Sequence, residues 1–154
     1  AIQSIKKIFG ERPLGWYTGR CSPNTRDLVM EEGGFLYDSD SYSDDLPYWE
    51  KRGGKKQLII PYTLDNNDMR FATNQGFNSG DQFFTYLKDS FDTLYEEGSK
   101  NPKMMSVGLH CRLIGRPGRI QSLKKFLDHV LKHDDVWICK RIDIAKHWIE
   151  NYPT

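Results

Sequence analysis

Long apolar runs are missing from this 154-residue chain. None approaches the roughly 20 residues of a membrane-spanning helix, so no membrane partner is expected. Charge of one sign is missing too. Lys and Arg number 22 against 21 Asp and Glu, a net charge of +1 with a pI near 7.9. That balance leaves no electrostatic footprint for nucleic acid. Cysteine is scarce: Cys21, Cys111 and Cys139 form an odd, widely spaced set with no C-x-x-C pair. A disulfide framework and a thiolate zinc site are therefore not expected, and a reducing, cytoplasmic setting is. A secretory signal pattern and an initiator methionine are also lacking, and the chain reads as opening inside a helix. Repeats, low-complexity tracts and linkers are absent as well, so residues 1–154 read as a single region.

Aromatic residues are plentiful, at 13%. Trp16-Tyr17, Tyr37, Tyr42, Tyr48-Trp49 and Tyr62 fall in or beside polar turns, where aromatics line small-molecule sites or cover the rim of a core. Apolar spacing predicts a helix over 1–9, a strand at 15–18 and a helix from the Ser22-Pro23 cap through Glu32. A strand is expected at 35–37 and another at 58–60, separated by an acidic loop and by the basic turn 51–56. Residues 63–78 read as a long irregular loop. Ser79 with Gln82 reads as a capping box opening a helix with Phe84, Leu87, Phe91 and Leu94 on its apolar stripe. A strand at 104–109, a helix carrying Ile120, Leu123, Leu127, Val130 and Leu131, a strand at 136–139 and a closing helix complete the order. Strands alternating with helices predict an α/β fold on a parallel sheet. Five strands are too few for a closed eightfold barrel, so an open sheet or part of a barrel is expected.

Several positions could carry chemistry. His110 ends the apolar run Ser106-Val107-Gly108-Leu109 before a Gly- and Pro-rich turn. Strand ends are where α/β enzymes present general acids and bases, and imidazole titrates near neutral pH. Strand geometry turns Cys111 to the opposite face from His110, which excludes a Cys–His nucleophilic pair. Arg20 offers a planar fork of donors for carbonyl oxygens, and Gly19 would let a backbone amide approach a ligand. Asp38 directly follows a strand, at the end of the sheet expected to hold His110. His129 and His133 lie four apart on a helix, a spacing that can hold a metal, but no third ligand is evident nearby and no metal site is expected there.

Four segments resemble the polysaccharide-deacetylase superfamily, and more narrowly its allantoinase branch. They are Gly15-Trp16-Tyr17-Thr18-Gly19-Arg20, Leu36-Tyr37-Asp38-Ser39-Asp40-Ser41-Tyr42, the run from Pro61 to Phe71, and Ser106 to Arg112. The resemblance implies the C-terminal part of a distorted, incomplete TIM-like β/α barrel, with the N-terminal half absent from this chain. It implies that His110 is the general acid and that Trp16, Tyr17, Thr18, Gly19, Arg20 and Asp38 form or support the walls of the substrate groove. Cys111 stands where deacetylases commonly carry proline, which favours the allantoinase branch.

The activity so implied is hydrolysis of the cyclic amide of allantoin or a related ureide, with no cofactor expected. Deacetylation of an N-acetylated sugar is the alternative. It would call for a divalent metal such as zinc, with its ligands in the missing half. A non-catalytic half-barrel that holds a ligand is the reading from another class. The expected partners are a small-molecule substrate, a complementary N-terminal half-barrel chain and further copies in a homo-oligomer. This chain alone is expected to be inactive.

Overall fold

The computed structural model describes residues 1–153 as a mixed α/β fold with an open sheet. Two compact units make it up. One comprises Ala1–Tyr62 with the segment from Cys139 onward, the other Thr63–Ile138.

In the first unit, α1 (Ile2–Phe9) stops at Gly10, whose φ of 83° a side chain would resist. Strand β1 (Gly15–Trp16) is followed by α2 (Thr25–Glu32), then β2 (Tyr37–Asp38), β3 (Tyr48–Arg52) and β4 (Lys55–Ile59). The sheet order is β1-β2-β4-β3, parallel except for the antiparallel β3–β4 pair, so β1 and β3 are its edges. Leu58, Ile59 and Ile60 are fully buried, beside Val29, Met30 and Phe35. The closing helix α6 (Arg141–Asn151) buries Ala145.

Two expectations change here. The helix expected from Ser22 begins at Thr25, because Ser22 is spent on a local turn: its N–H donates to Thr25 Oγ1 at 2.8 Å. The basic turn 51–56 is a hairpin rather than a loop, with Gly53 and Gly54 at φ 54° and 75°. Two successive residues at positive φ match the twist of paired strands, so the glycine pair places β3 as an added edge.

Gly15 pairs in register with Tyr37, whose ring lies where a Cβ would stand. Gly15→Ala must therefore push that ring aside. The expected loss is about 1–3 kcal/mol, the cost of overpacking. A urea midpoint equal to the parent's would show that the ring moves freely.

In the second unit, a 3-10 turn (Asp68–Ala72) precedes α3 (Gly80–Gly98), α4 (Cys111–Ile114) and α5 (Pro117–Val130). Ser79 caps α3 as expected, accepting from the Gln82 N–H. The Gln82 side chain, however, accepts from the Asn78 N–H rather than returning to Ser79. The core consists of Phe77, Phe83, Leu87, Phe91, Ile114, Phe126 and Val130. Phe83 rather than Phe84 lies at the centre of the α3 stripe, and on α5 Ser122, Phe126 and Val130 face inward while Leu127 and Leu131 are exposed. The α3 stripe is turned relative to the expected one, because the aromatic cluster of Phe71, Phe77 and Phe83 decides which face is covered. Near α5, Leu123 and Val130 lie on the core as expected, whereas Leu127 and Leu131 do not.

The strands expected at 104–109 and 136–139 do not form. A strand needs a neighbour to supply ladder hydrogen bonds. Residues 104–109 find only a bridge, Asn67 with Gly108, and 136–139 adopt no regular structure.

Candidate functional site

Two groups of functional side chains were expected, and each unit organises one of them. In the second unit, the bridge between Asn67 and Gly108 is parallel. The Asp68 N–H donates to the Gly108 carbonyl at 2.9 Å, and the Gly108 N–H donates to the Asn66 carbonyl at 2.8 Å. This pairing carries Asp68, 42 positions earlier in the chain, to His110. Asp68 is completely buried. Its Oδ1 lies 2.7 Å from His110 Nδ1. Its Oδ2 accepts the backbone N–H groups of His110, at 2.8 Å, and Ile114, at 3.1 Å.

His110 is thus not a strand-end residue. It is the extended N-cap of the short helix α4. A histidine cannot accept the helix's free amides from that position as Asp or Ser does, and the Asp68 carboxylate takes them instead. The same carboxylate fixes the imidazole. An acceptor-only oxygen at Nδ1 requires the proton there, so Nε2 is left as the working nitrogen. The His110 side chain keeps 28% of its surface exposed, enough for a ligand to reach that nitrogen. Asp68 was not among the expected site residues. Its signal was present in the Asn66-Asn67-Asp68 run, but only the long-range bridge gives it a partner.

This geometry does not suit a metal at His110. Both Asp68 oxygens are committed to donors. Among the described residues, the one group of three or more ligand side chains is elsewhere: Asp92, His129 and His133.

In the first unit, the segment expected to form a groove wall is tied down by Asp40. The Trp16 Nε1–H donates to Asp40 Oδ2 at 3.1 Å, and the Thr18 and Gly19 N–H groups each donate to Oδ1 at 2.9 Å. The Gly19 amide is therefore already occupied, contrary to the expectation that it would meet a ligand. Glycine is needed there for the turn itself, at φ 69°. The side chains of Tyr17, Thr18 and Arg20 remain exposed.

Asp38 is completely buried rather than lining a surface. Its Oδ1 accepts the Asp40 N–H at 2.8 Å, and Arg26 Nε stands 2.8 Å from its Oδ2 as an ion pair rather than an aligned hydrogen bond. Burial raises its carboxyl above the usual range, partly offset by the Asp40 amide and by Arg26. Arg26 also reaches Glu50 at 2.6 Å and the Asp40 carbonyl at 2.8 Å. Asp38 and Arg26 thus position the loop that carries Asp40.

Beside this wall stand Tyr17, Tyr42 and Tyr62. The Tyr17 and Tyr62 rings are 4.8 Å apart, and Tyr17 and Tyr42 share a 3.4 Å hydroxyl contact. Partial desolvation of the phenol beside these rings, reinforced by the hydrogen bond to Tyr42, raises Tyr17 above its usual range although the rest of the side chain is exposed. Arg141 lies over the Tyr62 ring at 5.1 Å. Burial lowers its guanidinium, opposed by Tyr37, Tyr62 and Tyr17. Arg141 was not anticipated: its place at the start of α6 is visible in sequence, but its approach to Tyr62 is not.

No family model matches the chain. A Schizosaccharomyces pombe protein provisionally named a polysaccharide deacetylase is 45% identical over an alignment of 170 positions, covering 99% of this chain and 53% of that protein. A crystal structure from Pseudomonas aeruginosa PAO1, also provisionally named a polysaccharide deacetylase, is 61% identical. Its TM-score is 0.95, over 99% of this chain and 52% of its own. The crystal structure of the Puue allantoinase is 61% identical as well, with a TM-score of 0.96 over 99% and 51% of the two chains. The chain spans about half the length of these relatives. Its fold matches a fragment of their β/α barrel, and no described helix is long and apolar enough to cross a membrane.

Proposed function

We propose that this chain is part of a hydrolase of the polysaccharide-deacetylase superfamily that opens the cyclic amide of allantoin to give allantoate, a reading supported by its likeness to the relatives above. The observation that carries the reading is the His110–Asp68 pair, a buried carboxylate holding an accessible imidazole in one tautomer. The 61% identity to the Puue allantoinase favours allantoin as the substrate.

The chemistry is addition of water across a ring C–N bond. Water attacks the carbonyl carbon, the tetrahedral intermediate carries oxyanion charge, and the C–N bond breaks as its nitrogen takes a proton. His110 Nε2–H donates that proton. Asp68 stabilises the imidazolium that precedes the transfer, as the carboxylate does in other carboxylate–histidine pairs. Arg20 orients substrate carbonyls through its exposed guanidinium, and Tyr17 and Thr18 contact the substrate from the same segment. The Thr18 and Gly19 amides are held by Asp40, so donors for the oxyanion come from elsewhere. The water-activating base lies in the part of the barrel that this sequence does not span, since the relatives are about twice its length. The free, separated cysteines suit a reducing cytoplasm.

Sugar deacetylation is the second reading, favoured by the names of the two other relatives. It would take its metal from ligands outside this chain. The deciding experiment is allantoin ring opening by this chain combined with its complementary half, with and without a strong chelator. Turnover that survives the chelator is expected, with none from this chain alone. Turnover of N-acetylated sugars but not of allantoin would establish the deacetylase reading. Tight allantoin binding without turnover would make the assembly a binding protein.

A further inference from the structure

We propose that Asp92, His129 and His133 form a site for a borderline divalent transition metal, zinc or a similar ion, that clips helix α3 to the end of helix α5. Neither the hydrolytic reading nor the likeness to other proteins calls for it. The spacing of His129 and His133 shows two imidazoles but no third ligand. Tertiary packing supplies it: Asp92 lies on α3, whose Phe91 ring packs against Phe126 of α5. The three side chains bring one ligand atom each to within 4.8 Å of one another.

The surroundings prepare each donor. The His133 Nδ1 lies 3.1 Å from the His129 carbonyl, which can only accept. The proton therefore sits on Nδ1, and in the neutral ring the Nε2 lone pair is free for a metal, the arrangement a ligating histidine ordinarily has. The His133 ring is held by aromatic edges, Phe91 at 5.0 Å and Tyr95 at 4.6 Å between centroids. The Asp92 Oδ2 is bound by the Lys88 ammonium, which leaves Oδ1 for the metal. That Oδ1 now lies 2.6 Å from His129 Nε2, sharing a proton between two good ligand atoms. A metal ion takes the place of that proton, which leaves to solvent.

Two imidazoles and a carboxylate favour zinc, cobalt, nickel or copper over magnesium or calcium, which prefer oxygen throughout. Tetrahedral zinc, with bonds of about 2.0–2.1 Å, needs its ligand atoms about 3.3 Å apart. The side chains must close together by about 1.5 Å. Their half-exposed positions allow this: His129 retains 21% and Asp92 37% of its side-chain surface. Water completes the coordination.

The test is titration of the full chain with Co(II), followed by its d–d absorption, and with Zn(II) by calorimetry. One equivalent should bind, with the intense visible bands of a four-coordinate ion, and Zn(II) should raise the melting temperature. His133→Gln and Asp92→Asn should each weaken binding by at least about tenfold, the loss that follows even when only a supporting partner of a ligand is removed. His110→Gln should leave binding unchanged. His133 lies beyond the last turn of α5, so its replacement spares the helix, and far-UV circular dichroism verifies folding of each variant. The proposal is overturned if the wild-type chain takes up no cobalt below millimolar concentration. It is equally overturned if binding survives His133→Gln unchanged or disappears with His110→Gln. None of these readouts depends on allantoin turnover, so the clip and the hydrolytic reading can fail separately.

Discussion

Replacing Asp68 with Asn should lower kcat of the assembled hydrolase by on the order of 10³–10⁴-fold, the scale seen when a histidine loses its orienting carboxylate. The loss follows from how the two oxygens of Asp68 are spent. One accepts the backbone N–H groups of His110 and Ile114, and the other accepts His110 Nδ1–H. An Asn side chain has a single acceptor. Its oxygen must serve the two backbone donors, because an amide NH₂ turned toward them would leave both of them unmatched and facing a third donor. The NH₂ then faces His110 Nδ1, which can remain only as an unprotonated acceptor. The proton of neutral imidazole moves to Nε2, and the imidazolium needed to protonate the leaving nitrogen meets a donor instead of a carboxylate.

Folding should change far less than activity, since the backbone bonds to α4 are kept. KM should move little while kcat falls. His110→Ala should be similarly slow. A kcat for Asp68→Asn within threefold of the parent would remove Asp68, and with it the general-acid assignment of His110, from the mechanism.

Phe83→Ala should destabilise the second unit by about 3–5 kcal/mol, the range for deleting a buried aromatic ring. Phe83 is completely buried. It meets Phe71 at 5.4 Å and Phe77 at 5.5 Å between ring centroids. Those two rings come from the segment that also carries Asp68, so the cavity left by Ala adjoins the wall that holds the site. Phe71 is further fixed by Arg119 of α5 over its face at 4.4 Å, which limits how far it can collapse inward. Near 25 °C the loss is read as a fall in the urea midpoint at constant slope. For a domain of this size each kcal/mol also lowers Tm by about 4–8 °C. A loss below about 1 kcal/mol would mean that the neighbouring rings refill the space. Phe84→Ala, at a half-buried position on the same helix, should cost less and serves as the comparison.

Local signals read correctly where one interaction dominates. The Ser79 cap and the stop at Gly10 depend on backbone sterics and free amides, which a few adjacent residues settle. The glycine pair at 53–54 carried as clear a hairpin signal, but the basic residues around it read as a solvated loop. Exposed strand positions accept lysine and arginine readily, so charge does not mark a loop.

Chain order and residue type by themselves pointed to an α/β fold, to His110 and the segment 15–20 as candidate site residues, and to no described helix long and apolar enough to cross a membrane. Tertiary structure alone decided which carboxylates those residues meet. Asp68 reaches His110 across 42 positions, Asp40 rather than Asp38 gathers the amides of Thr18 and Gly19, and Asp92 meets His129 of another helix. The reason is physical. An aspartate in sequence is only a short charged side chain that suits turns and water. It becomes a buried anchor when packing removes that water and leaves donors that must be satisfied, and those donors come from parts of the chain that only folding brings near.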